Sequence, residues 1–475
     1  MSFSQWCLVL GALALVSAVG SARLRRLPLS EPLIFLVAGL ALGNVGGVSL
    51  SLVDSAHWLE RVAEVVVIVS LFVGGLKLRL PLGHRAWLAA YRLAGPAMLL
   101  CIAGIALVGT WLFGLTPATA LLLGAILAPT DPVLADEFAV SSAKDQDRLR
   151  YGLSGEAGLN DGTAFPFVAL GLLLIENGGH WGVWVGGWAL ERLLWAVPAG
   201  LLLGYALGYG GGRLVVAVRR RTADRTATSD LLLLALVGLS YGLAEMIHAW
   251  GFLSVFAAGV GLRRAEVWLG RPQPGLLRAV AGLDSARWAR HRPGRPQPEV
   301  PDSDPAEALV EPWLHPEALR DSRVASGLVV REVLALGEAL ERLFVLAAVL
   351  LVGVLLAENW DWRGVGLGLA LFLVIRPLAV GMALLGTPTT RYQRLLMGWF
   401  GIRGLGSLYY LFYSVGEGVG AERSAELGAL TLSVVALSVA LHGVSATPLL
   451  RLYERRLGGH SSAEPQVGLS AENKD

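Results

Sequence analysis

The chain has 475 residues, of which 54% are hydrophobic and 16% charged, with a mean hydropathy of +0.58. A soluble domain of this length carries too much polar surface to reach those values, and apolar runs of roughly 20 residues recur from end to end, so the composition predicts a polytopic helical membrane protein. The net charge of +2 comes with no basic arm and no nucleic-acid motif, Cys7 and Cys101 both lie in apolar runs that suit no disulfide framework, and the eight scattered histidines show no metal-ligand spacing.

The opening stretch, MSFSQWCLVLGALALVSAVG, has no positive n-region, and its basic cluster follows the apolar run. It reads as a first span over 5–22, not as a cleaved signal. Further spans are predicted at 30–47, 58–76, 88–113, 117–140, 149–175, 190–212, 229–247 and 250–262, then at 332–357, 363–386, 391–415 and 424–450. The total is about thirteen. Residues 1–263 thus hold nine spans, 264–330 form a polar insert, 331–456 hold four spans, and 457–475 are a short polar tail.

Lys and Arg in short loops set orientation. One set of loops carries Arg23, Arg25 and Arg26; Lys77, Arg79 and Arg85; Lys144, Arg148 and Arg150; Arg219, Arg220, Arg221 and Arg225; Arg391 and Arg394; Arg451, Arg455 and Arg456. The alternate loops are nearly free of them. The alternation holds throughout only for an odd number of spans, which puts the N-terminus outside and the C-terminus and the insert in the cytoplasm. The insert repeats RPQP at Arg271 and Arg295. Its composition suits disorder, while LLRAVAGLDSARWARH within it fits a basic amphipathic helix on the inner leaflet.

Three carboxylates fall deep in predicted spans: Asp131, Glu156 and Asp161. A charge at a helix centre costs at least ~2.5–3.5 kcal/mol on insertion scales, and intramembrane acids face the bundle interior or a functional site. Around the first acid, Pro129 and Pro132 remove amide donors and break the fifth span into two half-helices. Non-helical backbone at membrane depth survives only when buried in protein or lining a wet cavity. The carbonyl and hydroxyl of Thr130 and the carboxylate of Asp131 are hard oxygen donors, suited to a small, weakly polarisable cation.

The sixth span reads RLRYGLSGEAGLNDGTAFPFVALGLLLI. At helical spacing Ser154, Ala157 and Asp161 share one face, and Glu156 and Asn160 the neighbouring one. Asp161 is expected to face the broken helix. Glu156 is expected to face another partner, for which Arg376 in LFLVIRPLAV is the candidate, because a buried guanidinium needs a carboxylate. A second interruption occurs at MGWFGIRGLGSLYY, where four glycines surround Arg403. The two breaks occupy matched places in spans 4–6 and 11–13, which enter the membrane from opposite sides. Such a pair is the sequence signature of an inverted repeat with a transport site at the midplane.

TDP at 130–132, GEAGLND at 155–161, IRP at 375–377 and GIRG at 401–404 together resemble the signatures of electroneutral sodium/proton antiporters, the NhaP-type branch of the monovalent cation:proton antiporter superfamily. The resemblance covers about residues 5–455 apart from the insert. It implies about thirteen helices in inverted repeats with two crossed broken helices, a homodimer in the inner (plasma) membrane, and exchange of Na+ or Li+ for H+ with no cofactor. It also implies that Asp161 carries the ion or the proton, that Thr130, Asp131 and Glu156 lie at or near the cation, that Asn160 and Arg376 hold Glu156, and that Arg403 neutralises the crossing. An Asn at 160, where electrogenic relatives have Asp, implies one-for-one exchange. Two positions depart from the pattern. Ala157 stands where Ser is common, with Ser154 on the same face as a substitute oxygen, and Val73 stands where many relatives have Glu. Potassium/proton exchange on the same scaffold is a nearby alternative. A channel or ion-responsive receptor is another. An intramembrane serine protease using Ser154 of GLSG and His442 of HGVS is a remote one.

Overall fold

The computed structural model describes residues 30–45, 47–131, 140, 147–222, 230–270 and 321–461, with residues 4, 8, 11–13 and 15. Its regular elements are helices: α1 (Glu31–Asn44), α2 (Leu52–Lys77), α3 (Trp87–Phe113), α4 (Pro117–Leu127), α5 (Arg148–Glu176), α6 (Trp184–Thr222), α7 (Asp230–Met246), α8 (Gly251–Leu269), α9 (Ser322–Glu358), α10 (Trp362–Ala383), α11 (Arg391–Trp399), α12 (Leu405–Gly416) and α13 (Ala421–Ser461). Helix therefore occupies every predicted span; of the first, residues 8, 11–13 and 15 are helical and the others lie outside the described residues. Among the described residues six helices (α3, α5, α6, α9, α10 and the stretch Ala421–Arg456 of α13) are long and apolar enough to cross a membrane. The twelfth span is two half-helices, α11 and α12. α4 is the first half of the fifth, and residues 132–139 of that span, Pro132 among them, lie outside the described residues.

The insert is shorter than its polarity predicts. α8 runs on to Leu269 and α9 begins at Ser322, where Asp321 caps it by accepting from Arg323 N–H at 2.7 Å. Local pairing explains the difference at α8. Arg263 reaches back to the Leu76 carbonyl (2.6 Å) and to Glu266 (3.6 Å), so charged residues near the end of that helix are bonded inside the protein. The amphipathic stretch and both RPQP repeats fall outside the described residues.

Sequence chemistry sets the helix starts. Thr116 caps α4 with Pro117 in its first turn, Asp147 caps α5 by accepting from Leu149 and Arg150 N–H, and Thr390 with Gln393 forms a reciprocal capping box on α11. Wide turns of π-helix interrupt α3 at Leu93–Ala97, α6 at Ala189–Trp195 and α10 at Leu371–Ile375. Each contains or closely precedes a proline (Pro96 within the first, Pro198 and Pro377 two to three residues after the others), which cannot donate to the residue four before it and so loosens the ladder there. The wide turns of α3 and α10 open the two repeats at matching points.

α3–α5 pack with α10–α13, and α1, α2 and α6–α9 pack with one another; α12 lies against α2 and α5 against α8. Close approach of α6 and α8 depends on Gly200, Gly204, Gly208 and Gly212, one every fourth residue. A Cβ on Gly200 would lie 2.7 Å from the Trp250 carbonyl. Small residues at this spacing are how membrane helices gain contact without a hydrophobic driving force.

Candidate ion site at the crossed breaks

α4 spans 11 residues, α11 9 and α12 12. At 1.5 Å per residue that is roughly 14–18 Å each, about half the hydrocarbon thickness. Their broken ends therefore meet near the midplane. The chain is unwound through Ala128–Asp131 and again through Phe400–Gly404, and the two stretches bond directly, Asp131 N–H donating to the Ile402 carbonyl at 2.9 Å.

Each break serves the other's open helix end. The Arg403 guanidinium donates to the Ala128 carbonyl, just past the C-terminus of α4. Asp131 Oδ2 accepts from Leu405 N–H, the first residue of α12, at 2.5 Å. A cation at a helix C-terminus and an anion at an N-terminus complement the macrodipole, and both bonds satisfy groups that helix ends leave open. Arg403 N–H also donates to Ser438 Oγ of α13 at 2.8 Å.

Asp161 on α5 is 2% exposed, and its Oδ1 has no hydrogen-bond partner among the described residues. The Tyr410 hydroxyl donates to its backbone carbonyl. A Cβ on Gly406 would lie 2.5 Å from Oδ1, so the carboxylate sits on the first turn of α12, and only glycine leaves it room. Next to it, Asn160 Nδ2 donates to Thr130 Oγ1 at 2.7 Å, tying α5 to the first break. Asn160 Oδ1 and Ser407 Oγ are likewise buried without a partner. Leaving a buried acceptor unbonded costs about 1–3 kcal/mol. The Asp161 carboxylate with two further unpartnered oxygens, those of Asn160 and Ser407, makes a set of hard donors of the kind an alkali cation takes.

Glu156 and Arg376 meet as expected. Both are fully buried, and they bond through both carboxylate oxygens, Nη2 to Oε2 at 2.7 Å and Nη1 to Oε1. Arg376 Nη2 also donates to the Met397 carbonyl at 3.2 Å, so the pair braces α5, α10 and α11.

Several expectations need correcting. Asn160 does not hold Glu156: helical spacing makes the two neighbours, but Glu156 is fully engaged by Arg376, and Asn160 turns to Thr130. Asp131 spends Oδ2 on the start of α12. Ser154 Oγ accepts from Val140 N–H at 3.1 Å. It lies seven residues before Asp161, about 10 Å along the helix, too far to ligate the same ion. His442 does not meet Ser154: its ring nitrogens face the carbonyls of Ser438 and Trp399, each at 2.9 Å, so the protease dyad is not assembled. Val73 is buried against Gly337 of α9, and Ala157 is buried. Sequence reasoning missed Tyr410, Ser438 and Gly406. Gly406 lay inside the glycine-rich break, but nothing in the pattern says which glycine faces the acid.

Residues 11–271 match the family described as "Sodium/hydrogen exchanger, transmembrane". The chain is 24% identical over 474 residues to a protein named K(+)/H(+) antiporter NhaP from Alkalimonas amylolytica, covering 98% of this chain and 69% of that one. It is 32% identical over 205 residues to Na(+)/H(+) antiporter 2 of Zygosaccharomyces rouxii, covering 42% of this chain and 25% of that one. Its fold is similar to that of the sodium proton antiporter MjNhaP1 from Methanocaldococcus jannaschii at pH 8, with a TM-score of 0.65 and 16% identity, covering 94% of this chain and 97% of that one.

Proposed function

As the chain belongs to the sodium/hydrogen exchanger family and is a monovalent cation/proton antiporter of the NhaP type, we propose that it exchanges Na+ or Li+ for H+ one for one, by competition at Asp161. One observation carries this reading: a buried carboxylate with an unpartnered oxygen, set against the first turn of a half-helix beside the free oxygens of Asn160 and Ser407. Ionised, Asp161 supplies the charge that a dehydrated cation needs; protonated, it has none to offer. Asn160 has no proton to lose, so the site carries one positive charge in either direction and the cycle moves no net charge. Thr130 and Asn160 are the neutral ligands, Asp131 and Arg403 hold the crossing, and Glu156 with Arg376 braces α5.

Access alternates as α3–α5 and α10–α13 rock against the remaining helices. The protein works in the inner (plasma) membrane as a homodimer, with the N-terminus outside and the α8–α9 connection and C-terminus in the cytoplasm. A potassium/proton exchanger is the second reading, favoured by the printed name of the relative that spans nearly the whole chain.

Reconstituted vesicles with an internal pH dye test this. External Na+ or Li+ is expected to alkalinise the lumen at a rate that clamping the voltage leaves unchanged. A response to K+ alone favours the second reading. A voltage-dependent rate rejects one-for-one exchange, and cation entry without proton exit points to a channel.

A further inference from the structure

The unwound stretch Phe400–Gly404 opens backbone groups at membrane depth, where each needs a partner inside the protein. α13 supplies partners at both ends of the stretch. Ser438 and His442, about one turn apart, are 0% and 1% exposed. Ser438 Oγ accepts from Arg403 N–H at 2.8 Å and lies 3.2 Å from His442 Nδ1. His442 Nε2 lies 2.9 Å from the carbonyl of Trp399, the last residue of α11. The imidazole makes a T-shaped contact with Phe372 of α10, 5.0 Å between centroids, and lies 5.5 Å from the Trp399 ring. The Trp399 indole donates to Ser445 Oγ, further along α13, at 3.0 Å.

The positions of the protons follow from the partners. The Trp399 and Ser438 carbonyls can only accept, and each lies 2.9 Å from a ring nitrogen. With the proton on Nδ1, the Nε2 lone pair would face the Trp399 carbonyl, and the Ser438 hydroxyl would lose its acceptor. With the proton on Nε2, the ring donates to Trp399 and Nδ1 accepts from the Ser438 hydroxyl. A charged ring would be a third buried cation beside Arg376 and Arg403, the charged groups that face it among the described residues. The Nε2–H form therefore closes one continuous link. Arg403 N–H donates to Ser438, the Ser438 hydroxyl to His442, and His442 Nε2–H to Trp399.

We propose that His442 and Ser438 are positioning residues for exchange: their hydrogen-bonded link holds the second break unwound from both ends and so sets Arg403 at the crossing. The inference rests on the antiport reading and deepens it. Neither residue is among the oxygens around Asp161. Both act through the stretch they hold, in which the Arg403 guanidinium donates to the Ala128 carbonyl and the Ile402 carbonyl accepts from Asp131 N–H at 2.9 Å. Without the link, the only bond listed above that remains at the α11 end is the indole's to Ser445, together with a local one from Gly401 N–H to the Trp399 carbonyl at 2.8 Å. The stretch can then recover helical bonds of its own, and rewinding draws Arg403 away from Ala128 and Ile402 away from Asp131. A hydrogen-bonded network at this depth is costly when only partly satisfied, which makes each member depend on the other.

The test is exchange in reconstituted vesicles, with maximum rate and cation KM measured separately at a temperature where every variant is folded. His442→Leu keeps an apolar body between Phe372 and Trp399 but neither bond. It is expected to lower the maximum rate about tenfold, the factor that one buried hydrogen bond is worth. The KM is expected to stay within about twofold, because the oxygens around Asp161 are left in place. Ser438→Ala is expected to give the same loss, and the double variant to be no slower than the slower single, since one link is cut only once. His442→Gln, whose amide offers a donor to Trp399 and an acceptor to Ser438, is expected to recover most of the rate. A wild-type maximum rate in His442→Leu, a raised KM with the rate kept, multiplied losses in the double variant, or a Gln variant no faster than the Leu one overturns the link. If His442→Leu does not assemble, Ser438→Ala, which removes a single oxygen, carries the same test with Ser438→Thr as its rescue and the same contrary results. Normal wild-type exchange without these effects rejects the link alone, whereas no wild-type exchange with any alkali cation rejects the antiport reading and the link with it.

Discussion

Asp161→Asn is expected to reduce cation-driven proton movement in vesicles to the leak of protein-free membranes. Asn has nearly the shape of Asp but neither a charge for the cation nor a proton to exchange. Both half-cycles fail together, so no choice of pH or cation concentration restores the rate. The fold is expected to survive. The bond that ties this position to α12 runs from the Tyr410 hydroxyl to the backbone carbonyl and is untouched, and the lost charge is one that has no partner at Oδ1. Wild-type melting with no exchange is the expected pairing of results. Exchange that persists in the variant would move the competition to another residue, with Asp131 the nearest acid.

Arg376→Ala is expected to do the opposite, unfolding the protein more than it alters the chemistry. The substitution strands Glu156, fully buried, without either of the bonds that now satisfy it. Breaking one partner of a buried ion pair typically costs about 3–5 kcal/mol, whereas replacing both with apolar residues of similar volume is often near neutral. Glu156→Leu combined with Arg376→Met is therefore expected to recover most of the melting temperature that Arg376→Ala loses. Thermal unfolding in detergent reads both. A melting temperature that stays at wild type in Arg376→Ala, with exchange gone, would place the pair in transport and not in bracing α5, α10 and α11.

The helices and the two breaks were legible because they are written in local chemistry. Apolar runs have membrane length, prolines remove donors at Pro129, and glycines cluster around Arg403. The Glu156–Arg376 pair was legible for a different reason: a lone guanidinium and a lone carboxylate in mid-span have few other ways to be satisfied. What stayed hidden depends on the way the breaks cross. Asp131 reaches Leu405 and Arg403 reaches Ala128 across about 275 residues of chain, and no spacing rule connects them. Asn160 shows the limit of helical periodicity. Its neighbour at i−4 was correctly placed on the same face, but a face does not say which side chain is already engaged.

The claim on which everything else depends is that one acid hosts either a cation or a proton. Titrating purified, weakly buffered protein with NaCl while following both bound Na+ and free H+ tests it most directly. About one proton is expected to be released per Na+ bound over the pH range in which Asp161 is protonated beforehand, and none from Asp161→Asn. Na+ bound at that site with no proton released at any pH would contradict it.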